Sequence, residues 1–227
     1  MKPLTINPYH GWSGGKLHSL GQLAGLMDEF NFSKTHRPRV HGNGFIQLDL
    51  DDRVRLHVFG DLRIPRQKFP TPIHDHVFGF TSHVLSGRMI NVEYEEGPWP
   101  GLIEAINLPI GNFYEPHTRM LGEDLCEDTV LQQRDPGTYG LFVNDTQIVH
   151  AGEEYRCDAG TLHESVTAEI TVTLIQKDGP TVAQGAAARP RVFVPVGGHP
   201  DNEFNRYDAA PVEMLWHIIS DALKQAA

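Results

Sequence analysis

Pro72-Ile73-His74-Asp75-His76-Val77-Phe78-Gly79-Phe80, continued to Gly87, is the stretch from which the rest of the chain is read. It reads as strand, and in a strand residues i and i+2 point to the same face. His74 and His76 therefore present two imidazoles side by side. Imidazole suits Zn, Fe, Ni and Cu, and Mn less well. Two ligands hold a metal poorly, so a third is expected from elsewhere. His163, inside a second strand-like run from Gly152 to Thr167, is the best candidate.

Outward from this stretch the pattern is of short strands. Phe45 to Leu50 alternates apolar and polar, Asp51-Asp52 signals a turn, and Arg53 to Phe59 alternates again, which predicts a β-hairpin. Pro65, Pro70 and Pro72 mark a loop leading into the histidines. Thr81 to Tyr94 reads as one or two strands broken at Ser86-Gly87, and Gln147–His150, Glu153–Cys157, Ile170–Gln176 and Arg191–Val196 as further short strands. Residues 95–145 show little periodicity and read as an insertion, with short strands around 102–108 and 138–143. A stretch of that kind is either a functional lid or dimer arm or a surface elaboration. Gly179 to Pro190 has the composition of a linker.

Helical periodicity is confined to the ends. Leu20, Leu23, Ala24, Leu26, Met27 and Phe30 predict a short amphipathic helix over 19–30. Met214, Leu215, Ile218, Ile219, Ala222 and Leu223 form one stripe of a helix over 211–226, with Pro211 in its first turn. That stripe is read as core packing or a dimer contact. Many short strands with helices only at the ends predict an all-β barrel or sandwich, the alternative being an α+β sheet with a helical layer.

The totals narrow the class. The 227 residues suffice for one well-cored domain, taken as spanning 1–227 with its barrel core over 45–176 plus 191–196. A net charge of −10 argues against nucleic-acid and anionic-membrane partners. No run reaches the roughly 18 apolar residues of a membrane span, and no apolar signal segment is seen at the N-terminus. Cys126 and Cys157 make no disulfide framework, so a cytoplasmic location is expected. A homodimer is expected as the commonest assembly.

The two histidine pieces resemble the two motifs of the cupin superfamily, G(x)5HxH(x)3–4E(x)6G and G(x)5PxG(x)2H(x)3N. His74-Asp75-His76, three residues, Phe80, six residues and Gly87 match the first, with Phe80 in place of glutamate and Lys68 in place of the leading glycine. Gly152, five residues, Asp158-Ala159-Gly160, two residues, His163, three residues and Thr167 match the second, with Asp158 for proline and Thr167 for asparagine. The resemblance covers roughly 45–176. It implies a single double-stranded β-helix, the jelly-roll barrel, with N- and C-terminal helices and a long inter-motif insertion.

Carried over residue by residue, the resemblance implies a metal held by His74, His76 and His163, because Phe80 cannot bind one. A three-histidine set is similar to that of the thiol dioxygenases. It implies one divalent metal, Fe(II) favoured with Zn, Ni or Mn possible, and open positions for O₂ and a small anionic substrate. Other marks of that branch are absent: Thr81 stands near its crosslinked cysteine and Gln47 near its carboxylate-binding arginine.

The expectation is thus a metal-dependent oxidoreductase of dioxygenase type. The alternatives are an isomerase, lyase or hydrolase using Zn, Ni or Mn, and a non-enzymatic metal-binding module. Tyr94, Tyr155 and Glu164 are candidates for a proton donor or base near the metal. Arg55 or Arg88 is expected to pair with a substrate carboxylate, and Phe80 and Phe78 to form apolar wall. His57 is expected on a solvated hairpin face, or, in a barrel, as a substrate contact. His83 is expected at the surface or just behind the metal ligands, Asp75 in a structural hydrogen bond, and Cys157 as a buried thiol.

Overall fold

The computed structural model describes residues 4–5, 16–17, 20–29, 31–68, 72–97, 113–120, 130–133, 139–178, 190–195 and 204–225. In chain order these form β1 (Leu4–Thr5), β2 (Lys16–Leu17), α1 (Leu20–Glu29), α2 (Phe32–Thr35), β3 (Arg39–Val40), β4 (Ile46–Asp49), β5 (Val54–Phe59), β6 (Phe80–Ser86) and β7 (Arg88–Gly97). There follow β8 (Phe113–Met120), β9 (Val130–Gln133), β10 (Tyr139–His150), β11 (Glu154–Cys157), β12 (Leu162–Val166), β13 (Thr171–Lys177), β14 (Arg191–Pro195) and α3 (Val212–Gln225).

The strands pair as one long hairpin rolled up on itself. Its innermost pair is β7 with β10, then β6 with β11, then the His74 segment with β12, and outermost β5 with β13. All four pairs are antiparallel, and successive pairs fall alternately in two sheets. One sheet runs β11-β6-β13-β5-β4-β3 and the other β12-β7-β10-β8-β14, with β9 on β8. This nesting is the jelly roll, and the all-β architecture with terminal helices is as the sequence implied. It also explains where the long insertion falls: between β7 and β10, at the tip of the hairpin.

Period-2 alternation gives the first sheet two different faces. Val54, Leu56 and Val58 of β5, with Ile46, Leu48, Val172 and Leu174, point outward into a core shared with Leu23, Met27, Leu215, Ile219 and Leu223 of α1 and α3. Leu215, Ile219, Ala222 and Leu223 of the C-terminal apolar stripe are therefore core packing, while Met214 is exposed. The intervening residues Gln47, Arg55, His57, Thr173 and Ile175 share the other face, which turns into the barrel. A second core of Phe59, Phe80, Val84, Met89, Val149, Tyr155 and Cys157 closes the barrel interior.

Gly87 closes the β6–β7 turn with φ +73°, and a Cβ there would meet the Ile170 carbonyl at 2.5 Å. Only glycine tolerates both conditions. Gly152 and Gly160 of the second histidine piece are also left-handed, at φ +90° and +81°.

Several elements differ from the sequence reading. Residues 95–145 are not an irregular insertion throughout: β8 and β9 lie inside that range, and β10 is a single strand of 12 residues. Pro116 interrupts the pattern of β8 and so hides it. In β10 the pairing with β7 skips between Val143 and Asp145, a bulge that reverses the alternation. The strand expected at 102–108, and the linker except Pro190, lie outside the described residues. Among those residues no helix is long and apolar enough to cross a membrane.

β14 is tied to the first histidine piece by Asp75. Asp75 is buried, and its carboxylate accepts from the Arg191 backbone N–H at 2.6 Å and from Arg191 Nε at 2.7 Å. The expected structural hydrogen bond is thus found. Asp75→Ala removes both and leaves a largely buried guanidinium with less compensation, so urea unfolding is expected to show a loss of about 2–4 kcal/mol. Arg88→Ala, at an exposed side chain, is expected to stay within about 0.5 kcal/mol.

Candidate metal centre

His74 lies between two strands, bridged to His163 of β12 on one side and Val192 of β14 on the other. His74 N–H donates to the His163 carbonyl at 3.0 Å, and His163 N–H to the His74 carbonyl at 2.9 Å. Two residues that exchange both bonds are directly opposite in an antiparallel ladder, with side chains on one face. His76 follows on that same face. The ring centroids of His74 lie 4.7 Å from His76 and 4.9 Å from His163, and His76 and His163 are 5.3 Å apart. One ring nitrogen of each lies within 4.8 Å of the others.

Neighbouring groups set which nitrogen two of the rings offer. His74 Nδ1–H donates to the Pro72 carbonyl at 2.8 Å, leaving Nε2 as the lone pair. His163 Nδ1–H donates to Asn91 Oδ1 at 3.0 Å. The Asn91 amide is itself oriented, because its Nδ2 donates to Glu93 Oε1 at 3.4 Å. His163 Nε2 is buried and has no hydrogen-bond partner among the described residues. Burial, and then the neighbouring His74, hold the His163 imidazole well below its usual pKa, so it is neutral. A buried imidazole with a free lone pair beside two others, two of the three rings being fixed through Nδ1, is the donor set that a divalent metal needs.

Aromatic side chains surround the triad. The Phe80 ring stands edge-on to His76 at 5.3 Å and lies 5.6 Å from His163. Phe78 stacks on His76 at 5.2 Å. Apolar walls exclude water and strengthen the electrostatics of whatever the histidines hold. The three rings open on a cavity of about 310 Å³, also lined by Phe45, His57, Phe59, Arg66, Tyr155, Glu164, Thr173 and Ile175.

The structure sorts the other predicted residues. Glu164 lines the cavity, and the Tyr94 hydroxyl donates to its Oε1. Tyr155 lines the cavity too, and burial holds its phenol above the usual range, so it stays protonated. Arg55 is engaged with Asp49 at 2.6 Å and does not line the cavity; Arg88 is exposed and does not either. The arginine that does is Arg66, on the loop before the histidines.

Two expectations are corrected. His57 does not lie on a solvated face: it is buried at 7% exposure, because β5 turns its apolar residues to the helices and this face into the barrel. His83 is not near the surface. It is buried at 8%, with Nδ1 3.0 Å from the Glu154 carboxylate. Cys157 is the expected buried thiol, pushed up to about 12 by burial and by Glu93.

Sequence reasoning missed Asn91. Its signal is a polar residue alternating with Met89 on the inward face of β7, fully buried, which requires a partner inside. It also missed His41, stacked on Phe45 at 4.2 Å and 6.4 Å from the His74 ring.

No protein-family model matches the sequence, and no curated protein matches it. Solved structures do. The cupin domain of Drosophila melanogaster CENP-C is 12% identical over 62% of this chain and 74% of that one, at a TM-score of 0.30. Hydroquinone 1,2-dioxygenase from Sphingomonas sp. TTNP3 is 12% identical over 67% and 73%, at 0.27. E. coli ycfD is 13% identical over 97% and 54%, at 0.29. At such scores these likenesses carry no argument about the site. The fold rests on the strand nesting, and the site on the geometry of the three histidines.

Two predictions follow from this geometry. Asn91→Ala removes the group that aims His163 and is expected to weaken metal binding about 10- to 100-fold, measured by competition with a chelator, while Asn91→Asp retains an acceptor and most of the affinity. The second concerns pH. Burial, and then Arg55, lower the His57 pKa from 6.5 to about 3. The folded-state value lies below the unfolded one, so the unfolded chain takes up a proton that the folded chain refuses. Stability present above pH 6.5 is lost as pH falls toward 3. One such proton corresponds to about 1.4 kcal/mol per pH unit. Denaturant unfolding across this window is expected to show that slope in the parent chain relative to His57→Phe.

Proposed function

We propose that His74, His76 and His163 hold one divalent metal, and that the protein is a mononuclear metal enzyme. The reading we favour is a non-heme Fe(II) oxygenase acting on a small anionic molecule. The observation that carries it is the convergence of three imidazoles, two of them fixed through Nδ1, on an open cavity, with the Phe80 ring beside them. Structural metal sites are usually closed by four ligands, whereas three protein ligands leave room for chemistry. Fe(II) bound there would supply the redox chemistry for O₂.

The chain's own groups would do the rest. Phe78 and Phe80 exclude water from the histidines. Tyr155 offers a protonated phenol to the cavity. Glu164, oriented by the Tyr94 hydroxyl, is the carboxylate in position to accept a proton. Arg66, which lines the same cavity, would add positive charge to the field that an anionic ligand meets there. An all-imidazole donor set suits Zn and Ni as well, which supports a second reading: Lewis-acid chemistry in an isomerase, lyase or hydrolase.

Metal analysis of protein purified without chelator is expected to find about one divalent metal per chain, and His74→Ala and His163→Ala are each expected to lose most of it while remaining folded. O₂ uptake on addition of Fe(II) and a small carboxylic acid separates the two readings, since Lewis-acid chemistry proceeds without O₂. Protein that takes up neither iron nor zinc would overturn both.

A further inference from the structure

The cavity has a second polar pole. His57 lines it, is 7% exposed, and neither of its ring nitrogens has a hydrogen-bond partner among the described residues. Its ring touches Phe45 at 5.0 Å and Phe59 at 5.7 Å, not any of the three histidines. A buried imidazole with both nitrogens unpartnered is costly. Its partner must therefore come from what fills the cavity.

Register and charge say what that partner is. His57 stands between Gln47 of β4 and Thr173 of β13 in one cross-strand row, and the Gln47 side-chain oxygen is already taken by Arg206 at 2.8 Å. Behind this row Arg39 and Arg55 share the single carboxylate of Asp49, at 2.7 and 2.6 Å. Two guanidinium groups, those of Arg39 and Arg55, thus share one carboxylate on the strands beside His57. The local potential is positive in a chain whose net charge is −10. A neutral imidazole N–H in a positive field is complementary to an oxygen bearing negative charge. Phe45 and Phe59 stand beside His57 and Phe80 beside His76 and His163, and with Ile175 they give the cavity apolar walls that suit a flat apolar body.

We propose that His57 is the recognition group for the carboxylate of a small, flat apolar acid, whose opposite end then faces His74, His76 and His163. This rests on the metal-enzyme reading only in placing the ligand in that cavity. It also means that His57 costs the empty protein stability and repays it on binding, a pattern that a structural histidine would not show.

The test uses benzoate as probe, titrated by calorimetry near neutral pH into the full chain and into His57→Phe, His57→Gln and His74→Ala, each with metal content and Tm measured alongside. His57→Phe is expected to weaken benzoate about tenfold or more, and His57→Gln, which keeps a donor, about threefold. His74→Ala is expected to leave benzoate affinity nearly unchanged. His57→Phe is expected to raise Tm and to keep its metal. The proposal is overturned if the parent chain takes up no benzoate, if His57→Phe binds it as the parent does, or if only His74→Ala loses it, which would put the carboxylate on the metal. A lowered Tm in His57→Phe would also overturn it. The metal reading fails separately, as absent metal with His57-dependent benzoate binding intact.

Discussion

The structure depends on the pair of backbone hydrogen bonds that His74 and His163 exchange. They are the only regular pairing of the first histidine piece with β12 among the described residues, and they join segments almost ninety positions apart. Because the exchange fixes the two residues directly opposite each other, their side chains must share a face. His76 is then brought in by strand alternation alone. A one-residue slip in this register would send His163 to the outside of the barrel and leave two ligands where three are needed. The rest of the rolled hairpin, from β5·β13 outside to β7·β10 inside, holds that register.

The same alternation makes each strand of the first sheet serve two environments. β5 gives Val54, Leu56 and Val58 to the helical layer and Arg55, His57 and Phe59 to the barrel. The outward residues supply the apolar burial that keeps α1 and α3 in place. The inward residues therefore need not be apolar for the fold's sake, and several are not. That division is the physical reason a protein can keep a polar, partly unsatisfied wall inside its barrel: the stability comes from the other face.

Inside, the polar groups fall into two sets with different logic. In the triad burial holds His163 neutral, and the His74 and His163 rings are anchored through Nδ1, by Pro72 and by the Glu93–Asn91 chain. The set around His57 is held by charge, with Arg39 and Arg55 keeping the Asp49 carboxyl at about 2 against the opposing effect of burial. Aromatic rings separate the two. The result is a cavity with a three-histidine end, a positively biased end and an apolar middle.

Much of this was legible in the chain. The His-x-His spacing, the second piece ending in His163, the glycine at 87 and the terminal helical stripes all state local rules: strand parity, a left-handed turn, a 3.6-residue period. Local rules survive in sequence because the residues that obey them are neighbours. What was not legible depended on partners far away. The sequence could not say which way the hairpin face bearing His57 would turn, because an alternating strand reads the same from either side until helices cover one of them. It could not single out Asn91, whose importance lies in facing His163 across a ladder, nor place Arg66 rather than Arg55 at the cavity. The sequence by itself determined which residues could bind a metal. Only the tertiary structure decided which face was inside, and so what else the metal site would share its cavity with.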